Sequence, residues 1–229
     1  METITEALKA GQRTLSEYQS KQVLSAYGIP VTREFLAQDK DAAIDFARKT
    51  GFPVVAKACS PDLTHKTEKQ LIALKLRDEK ELAEAYDDIM KRAGSEKLDG
   101  ILVQEMVSGS RELVVGLIRD EQFGPCAMLG LGGIFVEVLK QVTFRIAPLE
   151  ERDALEMMEE LPGKKIFDAF RGEPPVDRTA LAQILIAIGT IGLEHDAVKE
   201  IDINPLIISD AKPIAVDALV VLGEEEDSA

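Results

Sequence analysis

Two rhythms of apolar residues alternate along the chain, and together they predict an order of elements. Ser16 to Ala26 reads as a helix, with Ser16 as a candidate N-cap, Tyr18, Val23 and Leu24 among its apolar positions, and Gly28-Ile29-Pro30 as its stop. A strand is expected over Val31 to Ala37, followed by a helix from about Lys40 to Thr50 that ends at Gly51 and Pro53. Val54 to Ala58 and Leu71 to Leu76 are short apolar runs, so the polar segment between them is expected to be a connection at a sheet edge. Leu82, Tyr86 and Ile89 recur at helical spacing within Asp78 to Ala93 and predict an amphipathic helix. The first lobe is expected to close near Gly94 to Gly100.

The second half repeats the alternation with longer elements. Ile101 to Val107 reads as a strand that Gln104 and Glu105 enter just before the Ser108-Gly109 break. Arg111 to Asp120 and Phe135 to Ala147 are long strand candidates, with Gly130-Leu131-Gly132-Gly133 expected in a tight connection between them. Glu150 to Glu160 and Asp177 to Glu194 read as helices, the second carrying Leu181, Ile184, Leu185 and Ile188 on one stripe. In the closing run EIDINPLIISDAKPIAVDALVVL, period-two geometry puts Glu200, Asp202 and Asn204 on one strand face and Ile201 and Ile203 on the other. No internal repeat or low-complexity segment interrupts this order.

Composition narrows the function classes. The chain has 229 residues, 45% of them hydrophobic, enough for one large or two modest domains with a proper core. A formal net charge of -14 repels a phosphate backbone, and no basic run offsets it, so nucleic acid is not an expected partner. There is no apolar run near the ~20 residues that span a membrane, and Met1 to Ala10 lacks the core of a signal peptide; a cytoplasmic location is expected. Cys59 and Cys126 form no metal-ligand spacing and are expected as reduced thiols.

Five places are weighed for chemistry. Lys57 sits inside an apolar strand, where an ammonium is costly to desolvate unless acceptors or an anion meet it. A nucleotide phosphate is one such anion; the alternative is a strand lysine whose head reaches water. The strand end at Gln104 and Glu105 can offer backbone groups to the edge of an adenine, or can simply be a strand end. Asp217 interrupts an apolar run, so it needs a cation or donors, and antiparallel pairing brings it beside Asn204 as hard oxygen ligands for Mg²⁺ or as a hydrogen-bonded pair. His65, in a polar connection, reads by itself as a loop hydrogen-bonder, and His195 as a charge at a helix end or a surface residue.

The motifs LSEYQSKQVLSAYGIPV, GFPVVAKACSPDLTHKTE, ILVQEMV, RELVVG, FGPCAMLGLGGIFVEVLKQVTFRIAPL and EIDINPL with the later AVDA, spread over about residues 12 to 222, resemble the ATP-grasp fold of the nucleotide-binding subunit of ADP-forming acyl-CoA synthetases. The opening segment and EIDINPL also look like the β subunit of succinyl-CoA synthetase. The resemblance implies an α+β protein with two lobes clasping ATP or ADP: residues 12–100, residues 101–222, and an acidic tail over 223–229. It implies Lys57 on the phosphates, Glu105 and Val107 at the adenine edge, and Glu112 near the ribose. Asn204 and Asp217 match the Mg²⁺ positions, with Asp202 as a supporting carboxylate and Arg145 as a cation for the phosphoryl group. His65 falls where such synthetases place a histidine that carries phosphate. A separate CoA-binding α subunit in an α₂β₂ assembly is implied as partner. After HKTE the family usually has a glycine pair, where this chain has Gln70 and Leu71. The alternatives are a subunit that uses GDP or another acid, and a nucleotide sensor without turnover.

Overall fold

Val54–Cys59, the most apolar strand of the first half, is buried along its whole length because it has a neighbour on each side and helices above it. The computed structural model of the chain describes residues 1–63, 70–133, 142–169 and 172–223. They divide into two compact units. The smaller holds Ser16–Tyr18 and Thr32–Val107; the larger holds Met1–Leu15, Gln19–Val31 and the described residues from Ser108 on.

In the smaller unit, β1 (Glu34–Ala37), β2 (Val54–Cys59), β3 (Ile72–Leu76) and β4 (Gly100–Glu105) form an antiparallel sheet in the order β1-β4-β2-β3. The helices of this unit are Lys40–Thr50 and Glu79–Ala93, numbered α3 and α4 in chain order after α1 (Glu2–Lys9) and α2 (Glu17–Ala26). Both begin at an aspartate that accepts a free amide of the first turn: Asp39 from Ala42 N–H at 2.8 Å, and Asp78 from Glu81 N–H at 2.9 Å. Ala43, Ala47, Leu82, Tyr86 and Ile89 then share a core with Ala56, Ala58 and Val103. The division expected after Gly100 differs from the observed one. β4 bonds to β1 and β2 on its two sides, so the chain leaves this unit only after Val107.

The larger unit is built on the sheet β10-β8-β5-β6-β7, made of β5 (Arg111–Asp120), β6 (Gly124–Leu131), β7 (Val142–Ile146), β8 (Val198–Ser209) and β10 (Ala218–Leu222), with β9 (Lys212–Ala215) pairing the far end of β8. Helices α5 (Glu151–Glu160) and α6 (Arg178–Glu194) bring Met157, Leu181, Leu185 and Ile188 into one core with Leu113, Leu117, Leu129, Ile201 and Ile203. Two elements were not anticipated. Helix α1 buries Ile4 and Ala7 in that core, a three-residue spacing too short to stand out. Strand β6 occupies much of the supposed connection: its alanine and glycines have little strand preference, and pairing with β5 and β7 overrides that. Of the run expected over Phe135 to Ala147, Val142–Ile146 form β7, and residues 134–141 lie outside the described residues.

Glycine is required just past β6. The Gly132 N–H donates to the Glu112 carbonyl at 2.7 Å, and a Cβ on Gly132 would stand 2.7 Å from the Glu112 carbonyl carbon. Because the neighbour is backbone in a paired strand, it cannot rotate away. Gly132→Ala is therefore expected to lower unfolding free energy by about 1–3 kcal/mol, read from urea denaturation. An unchanged midpoint and slope would show that β5 and β6 are not held this close.

Candidate functional site

Lys57 stands mid-strand in β2, opposite Leu102 on one side and Ile72 on the other, and is only 4% exposed. The anion that makes this burial tolerable is internal: the Lys57 Nζ donates to Glu17 Oε1 at 2.6 Å, and the Glu17 side chain is 1% exposed. Two charges this far from water are stable as a pair and not singly. Glu17 was not singled out from the sequence, since nothing in it announces a partner forty positions away.

Glu105, the last residue of β4, is likewise engaged. Its carboxylate accepts from the Arg33 backbone N–H at 2.9 Å and Nε at 2.7 Å, with Nη2 at 2.6 Å. In return the Glu105 N–H donates to the Arg33 carbonyl at 3.0 Å. Val107 follows, half-buried, as the last residue of the smaller unit.

In the larger unit, Glu112 lies one residue before the Leu113–Leu131 pair, so its neighbours across the sheet are Gly132 and Gly133. A Cβ on Gly133 would stand 3.3 Å from Glu112 Oε2, so the glycines leave that carboxylate its space. The adjacent Arg111, not anticipated as a key residue, is buried and holds a neighbouring segment by its carbonyls: Ile166 and Asp168 at 3.3 Å and Pro174 at 2.8 Å. Its Nε approaches Glu173 at 3.0 Å without the alignment of a hydrogen bond, so that contact is an ion pair. Arg145 donates to Glu160 at 2.7 Å and to the Phe144 carbonyl at 2.9 Å, and the Glu160 bond raises its pKa.

Strand β8 meets its expectation closely. Ile201 and Ile203 are buried, whereas Glu200 and Asn204 are exposed and Asp202 is half-buried. The pair Ala218–Ile203, and the Val216 N–H donating to the Pro205 carbonyl at 3.1 Å, put Asp217 opposite Asn204. Burial, then the charges of Glu200 and Asp217, push Asp202 up from 3.8 to about 6. Among the described residues no three of His, Cys, Asp and Glu converge as a ready-made metal cage. An amide oxygen and neighbouring carboxylates still fit Mg²⁺, which keeps several waters and takes few protein ligands. His195 caps the end of α6, with Nε2 2.9 Å from the Tyr27 hydroxyl. His65 lies outside the described residues.

An ATP-grasp domain family matches residues 6–222. The chain is 43% identical over 223 residues to the β subunit of ADP-forming acetate–CoA ligase I of Pyrococcus furiosus, a match covering 96% of each chain. The chain belongs to this ATP-grasp family. A second relative of the ATP-grasp chain, the ADP-forming acetate–CoA ligase I of Archaeoglobus fulgidus, is 40% identical, but there the match spans 98% of this chain and 33% of the longer protein. Among solved structures, acetyl-coenzyme A synthetase 1 of Candidatus Korarchaeum cryptofilum, in complex with coenzyme A, Ca-AMPCP and HgCl+, superposes with a TM-score of 0.93 at 41% identity, covering 97% of this chain and 99% of that one. The same protein is known with Mg-AMPPCP and a phosphohistidine segment pointing towards its nucleotide-binding site, at a TM-score of 0.87, 41% identity and the same coverage. Like these structures, the ATP-grasp chain is α+β with antiparallel sheets, and among its described residues no helix is long and apolar enough to cross a membrane.

The charge arrangement on β8 has a pH signature. Since Asp202 binds its proton more tightly folded than unfolded, its contribution to stability is full below about pH 4 and is lost as pH rises through about 6. Asp202→Asn in the ligand-free protein is expected to remove that loss, so wild type and variant should diverge in urea midpoint between about pH 4 and 6. Parallel curves across this window would contradict the raised proton affinity that burial, and then the charges of Glu200 and Asp217, give Asp202.

Proposed function

We propose that the chain is the nucleotide-binding subunit of an ADP-forming acid–CoA ligase, passing a phosphoryl group between nucleotide and a partner subunit by way of His65. The observation that carries this reading is the 43% identity over 96% of both chains to a β subunit of that activity. A separate CoA-binding α subunit in an α₂β₂ assembly is part of this reading, and what supports it is the Pyrococcus relative, which is named a β subunit and is matched over 96% of its length.

Asn204 and Asp217 would hold Mg²⁺, with Asp202 beside them. When bound, the cation offsets the repulsion between phosphates. Lys57 adds positive charge to the phosphates and Glu17 fixes where that ammonium points. Backbone groups at Glu105 and Val107 meet the adenine edge, Glu112 the ribose, and Arg145 the phosphoryl group. The His65 imidazole attacks the phosphorus of an acyl phosphate delivered by the partner, forming N–P as P–O breaks and a carboxylate leaves. The terminal oxygen of ADP then attacks that phosphorus: O–P forms, N–P breaks, and the nitrogen recovers its lone pair.

Gln70 favours turnover over the sensor alternative. It adopts a φ of 55°, the conformation glycine takes readily, while Leu71 is buried in the core of the smaller unit. The backbone path expected of a glycine pair is thus kept at Gln70. To test the reading, the complex with its CoA-binding partner is incubated with acyl-CoA and radiolabelled phosphate without ADP. Acid-labile label is expected on this chain, absent from His65→Ala, with ADP binding unchanged. Label confined to the partner, or full turnover by His65→Ala, would overturn the carrier role.

A further inference from the structure

The Glu105 carboxylate sits at the end of β4, beside the backbone that the proposed function assigns to the purine, and its side-chain bonds among the described residues are all with Arg33. Arg33 approaches it through a backbone amide and two guanidinium nitrogens, at 2.9, 2.7 and 2.6 Å, so both carboxylate oxygens are taken. The Arg33 side chain is 65% exposed. A surface ion pair of this kind adds little to stability, and its effect is instead on what the carboxylate remains able to bind.

Adenine and guanine ask for opposite things at this edge. Adenine presents a donor, its exocyclic amine, next to a ring-nitrogen acceptor, a pattern that one backbone carbonyl and one backbone N–H satisfy. Guanine presents two adjacent donors, N1–H and the exocyclic amine, which a free carboxylate accepts bidentately and with charge assistance. The amides of Glu105 and Met106 are already committed, to the Arg33 carbonyl at 3.0 Å and the Pro53 carbonyl at 3.3 Å, so the next amide along the chain is that of Val107.

We propose that Arg33 is the purine-selecting residue: by clamping the Glu105 carboxylate it denies guanine its acceptor pair and leaves backbone groups that suit adenine. This rests on the adenine-edge reading of Glu105 and Val107. Arg33 is a positioning residue that acts through Glu105 and need not touch the nucleotide. The selection is by rejection, since a guanine brought here would bury two unpaired donors.

The test is calorimetric titration of the full chain, with its partner, with Mg-ADP and Mg-GDP. Wild type is expected to bind ADP and to bind GDP at least about tenfold more weakly, roughly the cost of one buried unsatisfied donor. Arg33→Ala removes both guanidinium contacts from Oε2 and leaves only the backbone amide of residue 33 on Oε1, whose second lone pair stays open, and is expected to reduce the GDP-to-ADP Kd ratio by about tenfold, mainly through tighter GDP. Arg33→Lys, which cannot make the forked contact, should fall between. Adding Glu105→Gln to Arg33→Ala should abolish the gain in GDP affinity, which a merely structural role of Arg33 would not do. An unchanged ratio in Arg33→Ala with ADP still bound overturns the clamp alone. Absence of binding of either nucleotide to wild type overturns the nucleotide reading and the clamp with it.

Discussion

A strand packed against a core on one face buries alternate side chains, and β8 turns that constraint to two uses within Val198–Ser209. Its inward residues, Ile201, Ile203, Leu206 and Ile208, join the core of the larger unit. Its outward residues, Glu200, Asp202 and Asn204, therefore emerge in a row. The strand is also held on both sides, by β5 along one edge and by β10 and β9 along the other. A slip of one residue would turn the acids inward and the isoleucines outward, so packing fixes the register of the polar row. The cost of the arrangement is a carboxylate partly withdrawn from water and then crowded by Glu200 and Asp217, visible in the raised proton affinity of Asp202. A site that binds a cation has reason to tolerate it.

The cations of the expected site are balanced differently. Lys57 rests on Glu17, Arg145 on Glu160, and Arg33 on Glu105. These pairs form within one unit each, and they keep charges oriented before any ligand arrives. On the proposed reading, nucleotide binding adds phosphate to a lysine that is already neutralised, so part of its electrostatic gain is spent in competition with Glu17. Among the described residues no arginine or lysine is paired with Glu200 or Asp202, and the charges that act on Asp202 are those of Glu200 and Asp217, so on the proposed reading their attraction for a divalent cation is not spent in that way.

The parts of this protein that were legible in sequence are the locally determined ones. Helix α3 spans Lys40–Thr50 as expected because Asp39 starts it and Gly51, at a φ of 95°, ends it, both signals lying next to the helix itself. Asp217 was placed beside Asn204 because a short hairpin leaves few registers open. What was missed depends on distant pairing. Strand β6 is a strand because β5 and β7 flank it, and β4 belongs to the smaller unit because β1 and β2 do. The partners of Lys57 and Glu105 lie 40 and 72 positions away, and no local pattern distinguishes Glu17 or Arg33 from the other charges of an acidic chain. Charged side chains declare where they are in the sequence, and only the packed structure declares which charge they meet.

The central claim is that this chain makes ATP when supplied with the right partner. The direct measurement is ATP formation by the chain combined with its CoA-binding subunit, acetyl-CoA or another acyl-CoA, inorganic phosphate and Mg-ADP, with each component omitted in turn. Continuous ATP formation that needs every component is the expected result. Tight Mg-ADP binding with no ATP from any acyl-CoA, in a complex whose partner is folded and binds CoA, would contradict the account and leave a nucleotide sensor in its place.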